Sequence, residues 1–153
     1  MAGHRAPASS SSDFDVTDSY IAGLDVLASV GAGQDQLLNR AAEVAPEFVR
    51  LAIGFSYGEI LARPGLDLRF RLLAAIAAEA AVGASAVALR QHVESALRLG
   101  WAREEIIEVL IQSAAHTGVP GALRALAECH DLLVERDPCA QTCEAARSDT
   151  GQL

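Results

Sequence analysis

Glu79 stands inside an otherwise apolar run from Leu72 to Val82, where helical spacing puts it on one stripe with Leu72, Ile76 and Gly83. A carboxylate on such a stripe must be paired, solvated by a pocket, or held neutral. Held neutral, it is the group that general acid chemistry near neutral pH requires. Paired, it is a structural salt bridge to an arginine of a neighbouring helix or protomer. His92 lies among Leu89, Val93 and Ala96, at the border of an apolar face. It reads as a satisfied boundary histidine or as a proton carrier. His116 ends a helical pattern at Thr117-Gly118, where an imidazole either complements the helix dipole or faces a pocket at the break.

Arg63 and Arg71 flank the Pro64-Gly65 turn and the helix that follows. Guanidinium forks suit carboxylates, so both are candidates for orienting an acidic substrate. The competing reading is an inter-helix ion pair, for Arg63 with Glu59 or Asp67. Tyr57 and Glu59 precede the turn and are candidates for lining the same space. Glu79, His92 and His116 fall on three helices with no H-x-x-x-H, H-E-x-x-H or E-x-x-H motif, so no metal is expected. Glu104, Glu105 and Glu108 read as a solvated helix face. The three cysteines, Cys129, Cys139 and Cys143, form no C-x-x-C pair, and an odd count argues against a disulfide framework.

The chain has 153 residues, 51% hydrophobic but only 5% aromatic. Its core must therefore be built from Ala, Leu, Val and Ile, which favours closely packed helices. A net charge of −8 argues against nucleic acid and anionic membrane as partners. Every basic side chain other than histidine is arginine, so a lysine Schiff base and a lysine proton carrier are excluded. No apolar run reaches membrane-spanning length, and the polar Met1 to Asp13 stretch has no apolar core of a secretory signal. A cytoplasmic location is expected.

Residues 1–15 and 137–153 read as disordered segments around one helical domain, residues 16–136. Thr17-Asp18-Ser19 is expected to cap a helix over Tyr20 to Val30. A helical segment follows from Gln34 to Leu61, split or kinked at Pro46, and Arg63-Pro64-Gly65 breaks the chain. Further helices are expected over Leu68 to Val82 with Asp67 as cap, Ser85 to Leu99, Arg103 to His116, and Pro120 to Glu135. The fold reads as all-α, an antiparallel bundle of about six helices.

From about Tyr20 to Val134 the sequence resembles the carboxymuconolactone decarboxylase family. The matching pieces are Tyr57-Gly58-Glu59-Ile60, Arg63-Pro64-Gly65-Leu66-Asp67, Arg71, Leu89-Arg90-Gln91-His92-Val93, Ala96-Leu97-Arg98-Leu99-Gly100, Glu104-Glu105-Ile106-Ile107-Glu108 and Gly118-Val119-Pro120-Gly121-Ala122. Their order and spacing carry the resemblance. It implies a homo-oligomer, a trimer or hexamer, with a cofactor-free pocket near the protomer interfaces. It also implies one of two activities, decarboxylation of a γ-carboxy lactone or thiol peroxidation through C-x-x-C and histidine. The cysteine positions ahead of His92 are Ser85 and Ala88, so peroxidase chemistry at that place is excluded.

The chain departs from the family pattern in several places. Leu72 replaces a glutamate after Arg71, Leu61 replaces a tryptophan, and His116 replaces a tyrosine. The Gly83 to His92 connection reads one residue longer. Glu79, seven residues after Leu72 on the same face, is expected to supply the missing carboxyl.

The leading expectation is a cofactor-independent lyase acting on a small acidic, lactone-like or enone-conjugated molecule through an enolate. Glu79, His92 and His116 are its candidate acid and hydrogen-bond donors, and Tyr57, Glu59, Arg63 and Arg71 its candidate substrate holders. Isomerisation, cyclisation or dehydration of a polyketide-like metabolite needs the same equipment. A non-catalytic ligand-binding scaffold is a further reading, with Glu79 and His92 as a structural pair. So is a thiol redox protein using Cys139 and Cys143.

Overall fold

The computed structural model describes residues 16–32 and 35–134. They form seven α-helices and one π-helical stretch, with no strand among the described residues. The all-α expectation is met. The chain divides into two compact units, Met1–Leu68 and Arg69–Leu153.

The first unit holds α1 (Val16–Ser29), α2 (Gln36–Val44), α3 (Pro46–Ile53) and a π-helical stretch π1 (Gly54–Leu61). Thr17, Asp18 and Ser19, expected as a cap, lie inside α1 instead, because the Ser19 hydroxyl donates to the Glu59 carboxylate rather than to its own helix start. Pro46 does split the following segment. Ala45 leaves helical geometry at φ −142, and Pro46 takes the first position of α3, where its missing N–H costs nothing. Asp35 caps α2, accepting from the Leu37 and Leu38 amides at 2.8 and 3.2 Å.

In π1 the Ala62 amide reaches back five residues to the Tyr57 carbonyl at 2.9 Å, the wide-turn bond of a π-helix. This wide stretch meets α1 backbone to backbone. A Cβ at Gly58 would overlap the Ser19 carbonyl, and one at Gly23 would stand 2.7 Å from the Ile53 carbonyl. Leu27, Val30, Val49 and Ile53 form the buried apolar filling.

The second unit holds α4 (Leu68–Val82), α5 (Ala86–Arg98), α6 (Arg103–Glu128) and α7 (His130–Leu133). Their first three starts fall within one residue of the sequence expectation. Leu72 and Ile76 of α4, Leu89 and Val93 of α5, and Ile106 and Leu110 of α6 are fully buried. Each such side chain contributes about 1.5–3 kcal/mol of apolar burial. Gly83 at φ 69 and Gly100 at φ 88 make the turns between these helices. Trp101 ties the start of α6 to the start of α4. Its Nε1 donates to the Arg69 carbonyl at 3.0 Å, and its ring lies edge-on to Phe70 and beneath the Arg69 guanidinium.

The helix expected to run unbroken from Pro120 to Glu135 ends at Glu128. Cys129 leaves helical geometry at φ −105, ψ 9. Arg90 then takes the Glu128 carbonyl at 2.8 Å and both Asp131 oxygens at 2.5 and 2.8 Å, which holds α7 against α5. No helix among the described residues is long and apolar enough to cross a membrane.

Candidate functional site

The stripe that carries Glu79 along α4 meets the border of the apolar face of α5, and this brings Glu79 to His92. Both Glu79 carboxylate oxygens lie 3.0 Å from His92 Nδ1. The two side chains keep 19% and 18% of their surface, so the pair is only partly screened by water. A neutral ring facing a carboxylate carries its proton on Nδ1 and donates it, which leaves Nε2 as the atom free for chemistry. Nε2 has no hydrogen-bond partner among the described residues, and no buried side-chain nitrogen or oxygen among them lacks one. Nε2 therefore opens onto accessible space.

His116 does not join this pair. It lies at one end of an open groove of roughly 520 Å³ between α4 and α6, floored by Leu73, Ala77 and Ala81 and edged by Glu108 and Gln112. Neither Glu79 nor His92 lines it. Two residues beyond His116, Gly118 adopts φ 75, ψ 163, a conformation open essentially to glycine alone. The break expected at Gly118-Val119-Pro120 is thus a kink inside α6 rather than a gap between helices. Pro120 has no N–H to give the His116 carbonyl. The edge Glu108-Gln112-His116 was legible as a four-residue repeat, but the glutamate read as plain surface charge.

Tyr57, Glu59 and Arg63 belong to the first unit. Tyr57 and Glu59 are half-buried in π1, and Glu59 accepts from Ser19, a partner the sequence reading missed. Arg63 is exposed and lines a second groove, roughly 470 Å³, together with Asp25 and Asp67. Arg71 is half-buried on α4 in the second unit.

Cys129 is fully buried, and that burial pushes its thiol up to about 11. A thiol so held is a poor nucleophile. Cys139 and Cys143 lie outside the described residues, as do the segments read as disordered. The Asp131 hydrogen bonds hold the Arg90 guanidinium above its ordinary pKa, against the opposing pull of desolvation. No cluster of three or more His, Cys, Asp or Glu side chains fit to hold a metal occurs among the described residues.

Residues 46–131 match the model of the carboxymuconolactone decarboxylase family. The chain is also 35% identical over 82 residues to an uncharacterized 15.0 kDa protein from the nqo9–nqo10 intergenic region of Paracoccus denitrificans. That match covers 53% of this chain and 61% of the relative, so the chain spans about three fifths of that protein's length.

Proposed function

Since the chain belongs to the carboxymuconolactone decarboxylase family, we propose that it is a cofactor-independent lyase in which His92 Nε2 moves the proton. One observation carries this reading: the bidentate approach of Glu79 to Nδ1 orients the ring and leaves Nε2 unpartnered. Glu79 acts through His92 and is a positioning residue; it stands where a triad carboxylate would stand relative to its histidine. This replaces the direct proton donation considered for Glu79 from sequence. The substrate class is a small γ-carboxylated lactone or a related acid conjugated to a carbonyl.

The bond to the carboxylate carbon breaks, carbon dioxide leaves, and the electron pair passes into the conjugated carbonyl as a dienolate. The Nε2–H of the doubly protonated ring then returns a proton to carbon, and solvent reprotonates Nε2. Stabilising the developing enolate and excluding water from it lower the barrier. Arg71, eight residues before Glu79 on α4, is proposed to hold the substrate's acid group.

The test is carbon dioxide release from γ-carboxylated unsaturated lactones in heavy water, with wild type and His92→Asn. Release with deuterium incorporation, lost by at least about a hundredfold in the variant, supports the reading. Full activity in the variant sinks it. Deuterium exchange without carbon dioxide marks an isomerase built on the same dyad. The scaffold reading rests on a separate observation, that neither groove described above is lined by the dyad. It predicts no turnover and only a loss of stability in His92→Asn.

A further inference from the structure

The groove between α4 and α6 is a second place where this chain can hold a small molecule, and its chemistry differs from that of the proposed lyase site. Its volume, roughly 520 Å³, lies within the usual range for such sites, roughly 300–1,000 Å³. It exists because α4 offers alanines where larger side chains would fill the gap. Ala77 and Ala81 lie one helical turn apart on its floor, continuing the line of Leu73. The opposite wall is polar in a regular way. Glu108, Gln112 and His116 follow each other at four-residue steps on α6, which places the first and last about 12 Å apart.

None of these three side chains makes a hydrogen bond or ion pair among the described residues, and no further interaction is recorded for them. Ser113, also on this wall, spends its hydroxyl on the Leu110 carbonyl at 2.6 Å. The edge therefore presents an unneutralised carboxylate at one end, an amide in the middle, and an imidazole at the other. Glu104, one turn before Glu108 on the same stripe and exposed, adds negative potential at the carboxylate end. Beside His116, Pro120 withholds the amide that would otherwise satisfy the carbonyl of that residue. An acceptor-rich edge along an apolar floor rejects an acid and suits a donor.

From this we infer that the groove binds an elongated hydrophobic amine, with its apolar body on the α4 alanines and its ammonium group at Glu108. The inference is independent of the proposed lyase reading, because neither Glu79 nor His92 lines the groove and an acidic substrate does not match its charge.

The experiment is a protein-observed NMR titration of the full chain with 4-phenylbutylamine and, separately, with its acidic counterpart 4-phenylbutyrate. The expected result is saturable shifts at Gln112, Ser113 and His116 with the amine, at least about tenfold weaker binding of the acid, and loss of that preference in Glu108→Gln. Ala77→Leu fills the floor and should weaken the amine by at least about tenfold. Ala81→Leu, at an exposed position, gives the same reading should the first variant fail to fold. Equal binding of amine and acid, shifts centred elsewhere, no shift with millimolar amine, or unchanged affinity in a folded alanine variant overturns the inference.

Discussion

Glu79 reaches His92 Nδ1 with both carboxylate oxygens at 3.0 Å, so the carboxylate and not the solvent selects which ring nitrogen carries the proton. Removing the carboxylate should release that choice. In Glu79→Ala the neutral ring is expected to shift toward the Nε2–H tautomer that free imidazole side chains prefer. Nitrogen-15 spectra of His92 recorded well above neutral pH report the change without a substrate. Loss of the hydrogen bond is expected to lower stability by about 1 kcal/mol. An unaltered tautomer in a folded variant would mean that Glu79 does not orient the ring.

Arg90 joins α5 to two successive features of the C-terminal segment, the Glu128 carbonyl and the Asp131 carboxylate. Arg90→Ala should loosen α7 before anything else, with a loss of about 1–2 kcal/mol, because the pair lies at a partly exposed position. Arg90→Lys should recover little, since an ammonium cannot fork onto both oxygens. Amide exchange of Leu132 and Leu133, compared among the three proteins, checks both statements.

Burial raises the Cys129 thiol from 9.0 to about 11. Between those values the unfolded chain binds fewer protons at this site than the folded chain, so stability falls as pH rises. The contribution is complete below pH 9.0 and lost on approaching about 11, at up to about 1.4 kcal/mol per pH unit. In Cys129→Ala this slope should vanish. Denaturant unfolding of both proteins at about pH 8 and about pH 10.5 should therefore show the wild-type advantage shrinking at the higher pH.

Gly118 sits at φ 75, ψ 163 within α6. Gly118→Ala should cost about 1–3 kcal/mol, since a Cβ is strained in that region whatever space surrounds it. Gly65, beside which nothing stands within 4 Å of an added Cβ, provides the control. Gly65→Ala is expected to leave urea unfolding within about 0.5 kcal/mol of wild type.

Apolar periodicity made α4 to α6 legible to within a residue at their starts, because their stripes alternate cleanly with glycine turns. It also exposed Glu79 as misplaced on its stripe. Its partner was harder to name, because a lone carboxylate on a stripe fits an arginine as well as a histidine until helix crossing brings one of them near. Ser19 was misjudged for a related reason. Serine near a helix start normally caps it, and only the tertiary approach of Glu59 withdraws the hydroxyl. The end of α6 escaped notice because nothing in Glu128-Cys129-His130 breaks a helix by itself; Arg90, 38 residues earlier, accompanies the break. The groove edge was hidden by treating Glu108 as surface charge without asking which side chains followed it at four-residue steps.

The five-residue reach from Ala62 to Tyr57 in π1 also bears on how this chain tolerates change in length. A π-turn is an α-turn holding one residue more, and such an extra residue advances everything after it by about 100° and 1.5 Å. Gly54–Leu61 thus acts as a phase shifter for Arg63-Pro64-Gly65. Deleting one residue there would let the helix relax to ordinary winding while turning the loop to a different side of its axis. A homologue that is one residue shorter between Gly54 and Leu61 would keep its helix and its core yet point its arginine elsewhere, so a single gap in this stretch is a change of aim rather than of fold.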